Sequence, residues 1–173
     1  MNLCLSCRAP YERAWVVGER SGVLQRLIGL YKFERARAGF VPLGDLLDCA
    51  LPDFPAEVVV VPIPTVVSHI RERGYDHMLL IAKRFAKKRN LKIERLLYRK
   101  TDTKQRQASF GMRNLQAKAA FGVRGVLSPD KVYLIMDDVV TTGATIKYAA
   151  KALMGAGAKH VWVAAIARQT LER

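Results

Sequence analysis

Residues 137–145, Asp-Asp-Val-Val-Thr-Thr-Gly-Ala-Thr, set two adjacent carboxylates just ahead of three hydroxyls and a glycine. The apolar run that begins at Val132 reads as a buried strand, so it delivers Asp137 and Asp138 onto a turn at its end. A helix is expected to start at Thr145. The first amides of a helix have no partner inside it, and its dipole favours negative charge there. Carboxylates accept hydrogen bonds from sugar hydroxyls. Free amides together with Thr141, Thr142 and Thr145 suit a phosphate. The chemistry this spacing could do is to grip both halves of a sugar phosphate.

A second set of residues lies earlier. Val61-Pro62-Ile63-Pro64-Thr65 closes another apolar run, where prolines force the chain out of a sheet. About ten residues on, Arg73 and Gly74 are expected at a helix start. An arginine there could clamp phosphate oxygens through two parallel bonds, and a glycine lets the backbone come close. The stretch from about 100 to 116 is polar and irregular and reads as a mobile loop carrying Lys100, Lys104, Gln105, Arg106 and Arg113. Cys4 and Cys7 form one Cys-x-x-Cys pair, and two thiolates do not complete a tetrahedral zinc site. Zinc is therefore not expected. Cys49 sits in an apolar helical stretch and reads as a core residue.

The elements that must position these groups follow from hydrophobic period. The first 20 residues show little regular pattern. Leu24, Leu27, Ile28 and Tyr31 recur at helical spacing within about 23–37, and a short helix is expected over 43–50. A β-branched strand spans 57–61, a helix about 75–89, and an extended piece 91–99. A strand at 131–138, a helix at 145–154 and a strand at 161–167 complete the chain. Strands alternating with helices imply an α/β fold, a parallel sheet with helices on its faces. In such sheets ligands sit beyond the carboxyl ends of strands, where both sets of residues fall.

The 173 residues suit one main domain with a small appendage, here 1–52 ahead of 53–173. No apolar run is long enough to span a bilayer, no signal peptide is evident, and three cysteines fit a reducing compartment, so a cytoplasmic location is expected. The net charge is +14, and residues 71–124 hold 16 Lys/Arg against 4 Asp/Glu. A field of that sign attracts polyanions.

The acid pair with Thr-Thr-Gly-Ala-Thr resembles the ribose-phosphate signature of type I phosphoribosyltransferases, whose usual ligand is 5-phosphoribosyl-1-pyrophosphate (PRPP). Lys32-Phe33, Val61–Pro64, Arg73-Gly-Tyr-Asp-His77, Thr103-x-Gln105, Arg113-Asn114 and Ala120-Phe121, in that order before it, narrow the resemblance to the ComF/GntX family. The resemblance implies a type I phosphoribosyltransferase-like sheet with a small N-terminal hood of helices and cysteines. It implies PRPP with its 5-phosphate on Val139, Val140, Thr141, Thr142, Gly143, Ala144 and Thr145, and ribose hydroxyls on Asp137 and Asp138. Their charge would favour the oxocarbenium character that develops as pyrophosphate leaves. Mg²⁺, the Ile63-Pro64 turn, Arg73 and Gly74 would hold the pyrophosphate, and the loop with Lys100, Lys104, Gln105, Arg106 and Arg113 would close over it.

Family members commonly carry two Cys-x-x-Cys pairs, and here only Cys4 and Cys7 remain. Asp76 and His77 stand where Asn and Gln are usual. The resemblance also implies single-stranded DNA as a partner, together with DNA-uptake or recombination proteins, in support of natural transformation. A nucleotide-salvage phosphoribosyltransferase is the alternative. No acceptor pocket is legible.

Overall fold

The computed structural model describes residues 9–34, 36–100 and 121–169. Its centre is a five-stranded sheet in the order β1-β7-β6-β2-β3. These strands are β1 (Arg13–Glu19), β2 (Val58–Pro62), β3 (Lys92–Ile93), β6 (Val132–Val140) and β7 (His160–Arg168), and every pairing among them is parallel. β2 is buried along its whole length, as an unbroken valine run covered on both faces must be. Helices α1 (Gly22–Phe33), α2 (Phe40–Ala50) and α4 (His77–Lys88) cover one face, where Ile28, Leu47 and Phe85 pack on Val58, Val60, Leu134 and Met136. Helix α5 (Ala144–Gly155) covers the other, with Ile146, Ala149 and Leu153 against Val59, Val61 and Ile135. The alternation along β2 and β6 divides the two cores. A short antiparallel pair, β4 (Leu97–Arg99) with β5 (Phe121–Val123), stands apart from the sheet.

Several expectations are corrected. The first 20 residues contain β1, which pairs with β7 from Arg13 against Trp162 to Glu19 against Arg168. Its charged ends and half-exposed middle hide it from a period-2 reading. The helix expected over 23–37 stops at Phe33, and a single turn at Arg37–Gly39 leads directly into α2. Pro42 lies in the first turn of α2, where no intrahelical N–H is lost. Cys49 is exposed rather than in the core, because α2 buries Leu43, Gly44 and Leu47 on its other side.

Arg73 and Gly74 do not begin a helix. They end α3 (Val67–Arg73): Gly74 has φ 83°, and its N–H donates to the carbonyl of Ile70 at 2.8 Å. A left-handed glycine is the usual stop. Asp76 then caps α4, its side chain accepting from the Leu79 N–H at 3.2 Å. Among the described residues no helix is long and apolar enough to cross a membrane.

Candidate functional site

Asp137 and Asp138 lie inside β6, not on a turn after it. The strand continues through Val140, with Asp137 opposite Ala165 and Val139 opposite Ala167. Consecutive strand residues point to opposite faces, and this separates the two acids. Asp138 faces the α1/α4 side and is buried at 6% exposure. Its Oδ2 accepts from Lys32 Nζ at 2.6 Å and from His77 Nε2 at 2.5 Å. Its own N–H donates to Asp137 Oδ1 at 2.9 Å. Burial alone would push Asp138 up, but the His77 hydrogen bond and the Lys32 charge outweigh it and hold the carboxyl below its ordinary range. Burial pushes Asp137 up to about 7, and the neighbouring Asp138 charge adds to the rise. The two acids are chemically unlike: one fixed as an anion, the other poised to exchange a proton near neutrality.

The geometry also fixes a tautomer. Arg73 Nη1 lies 3.1 Å from His77 Nδ1. A guanidinium can only donate, so Nδ1 accepts and the ring proton sits on Nε2, aimed at Asp138. The Thr65 hydroxyl donates to Asp76 Oδ1 at 2.7 Å, and its oxygen lies 3.1 Å from the same Nδ1. The chain Arg73–His77–Asp138–Lys32 thus joins α3, α4, β6 and α1.

A cleft of about 220 Å³ opens above these groups. It brings together Ile63 and Pro64 after β2, Asp137, Asp138 and Val139 of β6, and Thr145 in the first turn of α5. The expected carboxyl-end location holds. Described peptide bonds are all trans, so the Pro62–Pro64 turn contains no cis bond. The Ile63 N–H is taken by the Met136 carbonyl at 2.9 Å and Pro64 has none, so amide donors of this turn come from Thr65 onward.

Gly143 caps α5 at φ 74°, a conformation that favours glycine, and Ala144 N–H reaches Thr142 Oγ1 at 3.4 Å. Thr141, Thr142 and Ala144 are exposed on this loop, while Val140 turns inward and packs against the α5 core. Arg73 does not line the cleft: it bonds His77 and lies over the Phe33 ring at 5.5 Å. Gly74 is exposed at the end of α3. Lys100 borders a neighbouring pocket. Lys104, Gln105, Arg106, Arg113, Cys4 and Cys7 lie outside the described residues.

Sequence reading assigned no role to Lys32, Thr65, Asp76, His77 or Arg99. Lys32 and His77 stood in recognisable motifs, but their meeting at Asp138 depends on tertiary packing. Arg99 carried no signal. It donates from Nε to the Pro64 carbonyl at 2.9 Å and so ties β4 to the turn. Among the described residues no group of three or more His, Cys, Asp or Glu is placed to hold a metal.

No protein-family model matches the sequence, and no curated protein matches it. Among solved structures, an allosteric regulatory enzyme of purine biosynthesis is similar at a TM-score of 0.53 and 22% identity, covering 73% of this chain and 25% of that one. A hypoxanthine phosphoribosyltransferase from Staphylococcus aureus gives 0.40 and 18%, over 76% of this chain and 62% of that one. A purine phosphoribosyltransferase from Pyrococcus horikoshii Ot3 gives 0.37 and 14%, over 80% and 87%. The chain spans about a quarter of the length of the first of these. The architecture, a parallel five-stranded sheet flanked by helices, is the type I phosphoribosyltransferase-like α/β fold.

Proposed function

We propose that the chain binds PRPP with magnesium and presents its anomeric carbon for transfer. The observation that carries this reading is the convergence, in one cleft, of the Asp137–Asp138 pair, the first turn of α5 and the turn after β2. The 5-phosphate would rest on the amides and hydroxyls of residues 139–145. Asp137 would accept from a ribose hydroxyl, and Asp138, through its second oxygen, from the other. Arg73 would leave His77 for the diphosphate. In transfer the C1–O bond to pyrophosphate breaks, pyrophosphate departs with both electrons, and an acceptor lone pair forms the new bond as the acceptor loses its proton.

Magnesium keeps several waters and takes ligands from the substrate's diphosphate. Asp138 is already engaged by two donors, which fits an ion carried in by the substrate. When bound, the ion would neutralise charge on the leaving pyrophosphate.

Calorimetry with PRPP and Mg²⁺ on the native chain and on Asp137→Ala and Asp138→Ala tests the site. Each substitution is expected to weaken binding by about tenfold or more, the worth of a charge-assisted hydrogen bond. Equal binding by all three proteins would sink the assignment. Mixing PRPP with individual nucleobases and assaying pyrophosphate release tests the salvage reading.

A ComF-like role with single-stranded DNA is the second reading. It is favoured by Arg95, Arg99, Lys100 and Arg124, which form no ion pair with a described carboxylate. DNA-uptake or recombination proteins would then be its partners.

A further inference from the structure

The basic segment is not uniform. Arg84, Lys88 and Arg89 on and after α4 are answered by Asp45 and Asp48 of α2, at 2.8 to 3.2 Å, and Lys92 by Glu94. Arg95, Arg99, Lys100 and Arg124 form no ion pair with a described carboxylate, although Arg99 feels the charge of Asp137, and all four line one pocket of about 550 Å³. The guanidinium of Arg99 lies over Phe121 at 5.1 Å and that of Arg124 over Tyr98 at 5.4 Å. Ring contacts of this kind orient a cation without neutralising it. Among the described residues that line the pocket Asp76 is the one carboxylate, and it accepts from the Thr65 hydroxyl and the Leu79 N–H.

Val67, Ile70 and Leu97 supply an apolar lining. Four cations drawn together outnumber the single described carboxylate of the pocket and repel one another, and a bound anion lowers that cost. The volume falls in the range of small-molecule sites rather than of an extended strand. Pro64, Thr65, Val66 and Arg99 belong to this pocket and to the ribose-phosphate cleft alike, so they form a common wall.

We propose that this pocket is a second binding site, separate from the cleft, for a small organic anion of mononucleotide size: a phosphate or carboxylate on an apolar or ring-bearing body. Occupancy at either site bears on the same wall, so the two ligands influence each other's affinity reciprocally.

Calorimetry of the full chain with adenosine 5′-monophosphate, phenyl phosphate and inorganic phosphate tests this, each alone and with saturating PRPP and Mg²⁺. The monophosphate is expected to bind once per chain and more tightly than inorganic phosphate. Arg95→Gln and Arg124→Lys are expected to weaken it about tenfold and severalfold respectively, by loss of charge-assisted and forked contacts. Arg84→Gln, at a paired cation, is expected to leave it unchanged. PRPP binding should stay within about twofold in Arg95→Gln, whose thermal melting reports intact folding. The proposal is overturned if Asp137→Ala weakens monophosphate binding as much as Arg95→Gln does, since the ligand then occupies the cleft. It is also overturned if only an oligothymidylate, and none of the small anions, loses affinity in Arg95→Gln. A chain that binds the monophosphate but no PRPP would defeat the proposed function and leave the pocket standing.

Discussion

His77 joins the cleft's Asp138 to Arg73 outside it. Its Nε2–H serves Asp138 and its Nδ1 receives Arg73, so any movement of Arg73 alters the imidazole that steadies Asp138. His77→Ala removes a charge-assisted donor from a buried carboxylate and is expected to weaken PRPP binding by about tenfold. His77→Gln keeps an N–H within reach and should recover most of that loss. Native-like affinity in the alanine variant would remove His77 from the site.

The acids act oppositely on stability. Asp137 holds its proton to higher pH in the folded chain than in the unfolded one, so its ionisation works against folding as pH rises from the ordinary carboxyl range to about 7. Asp138 contributes stability that is complete above the ordinary carboxyl range and is lost as pH falls through its lowered value. Asp137→Asn is therefore expected to melt higher than the native chain at pH 8, by roughly 2–5 °C, and to lose that advantage near pH 4. A lower melting temperature at pH 8 would contradict the burial argument. The acid pair was legible in the sequence because it sits in one short string. Its partners were not, since His77 lies 61 positions away and only packing joins them.

At the scale of elements, α2 and α4 approach closely at Gly44. A methyl placed there would stand 2.5 Å from Arg84 Cγ and 2.8 Å from its Cβ. Alanine gains about 1 kcal/mol of helix propensity over glycine, but overpacking costs about 1–3 kcal/mol. The steric cost is larger, so Gly44→Ala is expected to lower the melting temperature by roughly 2–4 °C. An increase would mean that the helices can shift apart freely.

The strands at the centre were readable because β2, β6 and β7 are covered on both faces and show it as continuous apolar runs. β1 is an edge with one neighbour, and α3 buries no residue at all, so neither writes a period into the sequence. The break between α3 and α4 was written, in Gly74 and Asp76. The helix expected from about Tyr75 starts close to α4, and the element that the sequence hides is α3 ahead of the break.

Over the whole molecule, the net charge of +14 already counts Asp45 and Asp48. Their pairing with Arg84, Lys88 and Arg89 does not lower the total but shifts the uncompensated field away from that end of α4. The four cations of the second pocket, which form no ion pair with a described carboxylate, bear on the single-stranded DNA reading directly. If they carry it, the logarithm of affinity should fall with the logarithm of salt at a slope of about −3, near −0.7 per phosphate contacted. Binding that ignores salt would rule it out.

The strand order has a consequence for how the chain comes into being. β7 lies between β6 and β1, and Trp162 reaches Glu12 across 150 positions. On the ribosome β1 emerges early and has no strand to pair with until β7 follows it out. Contacts this distant in sequence carry a loop-closure cost that is met before any pairing is gained. Assembly is therefore expected to spread outward from β2 and β6 to β7, and β1, though translated before these three, is seated after them.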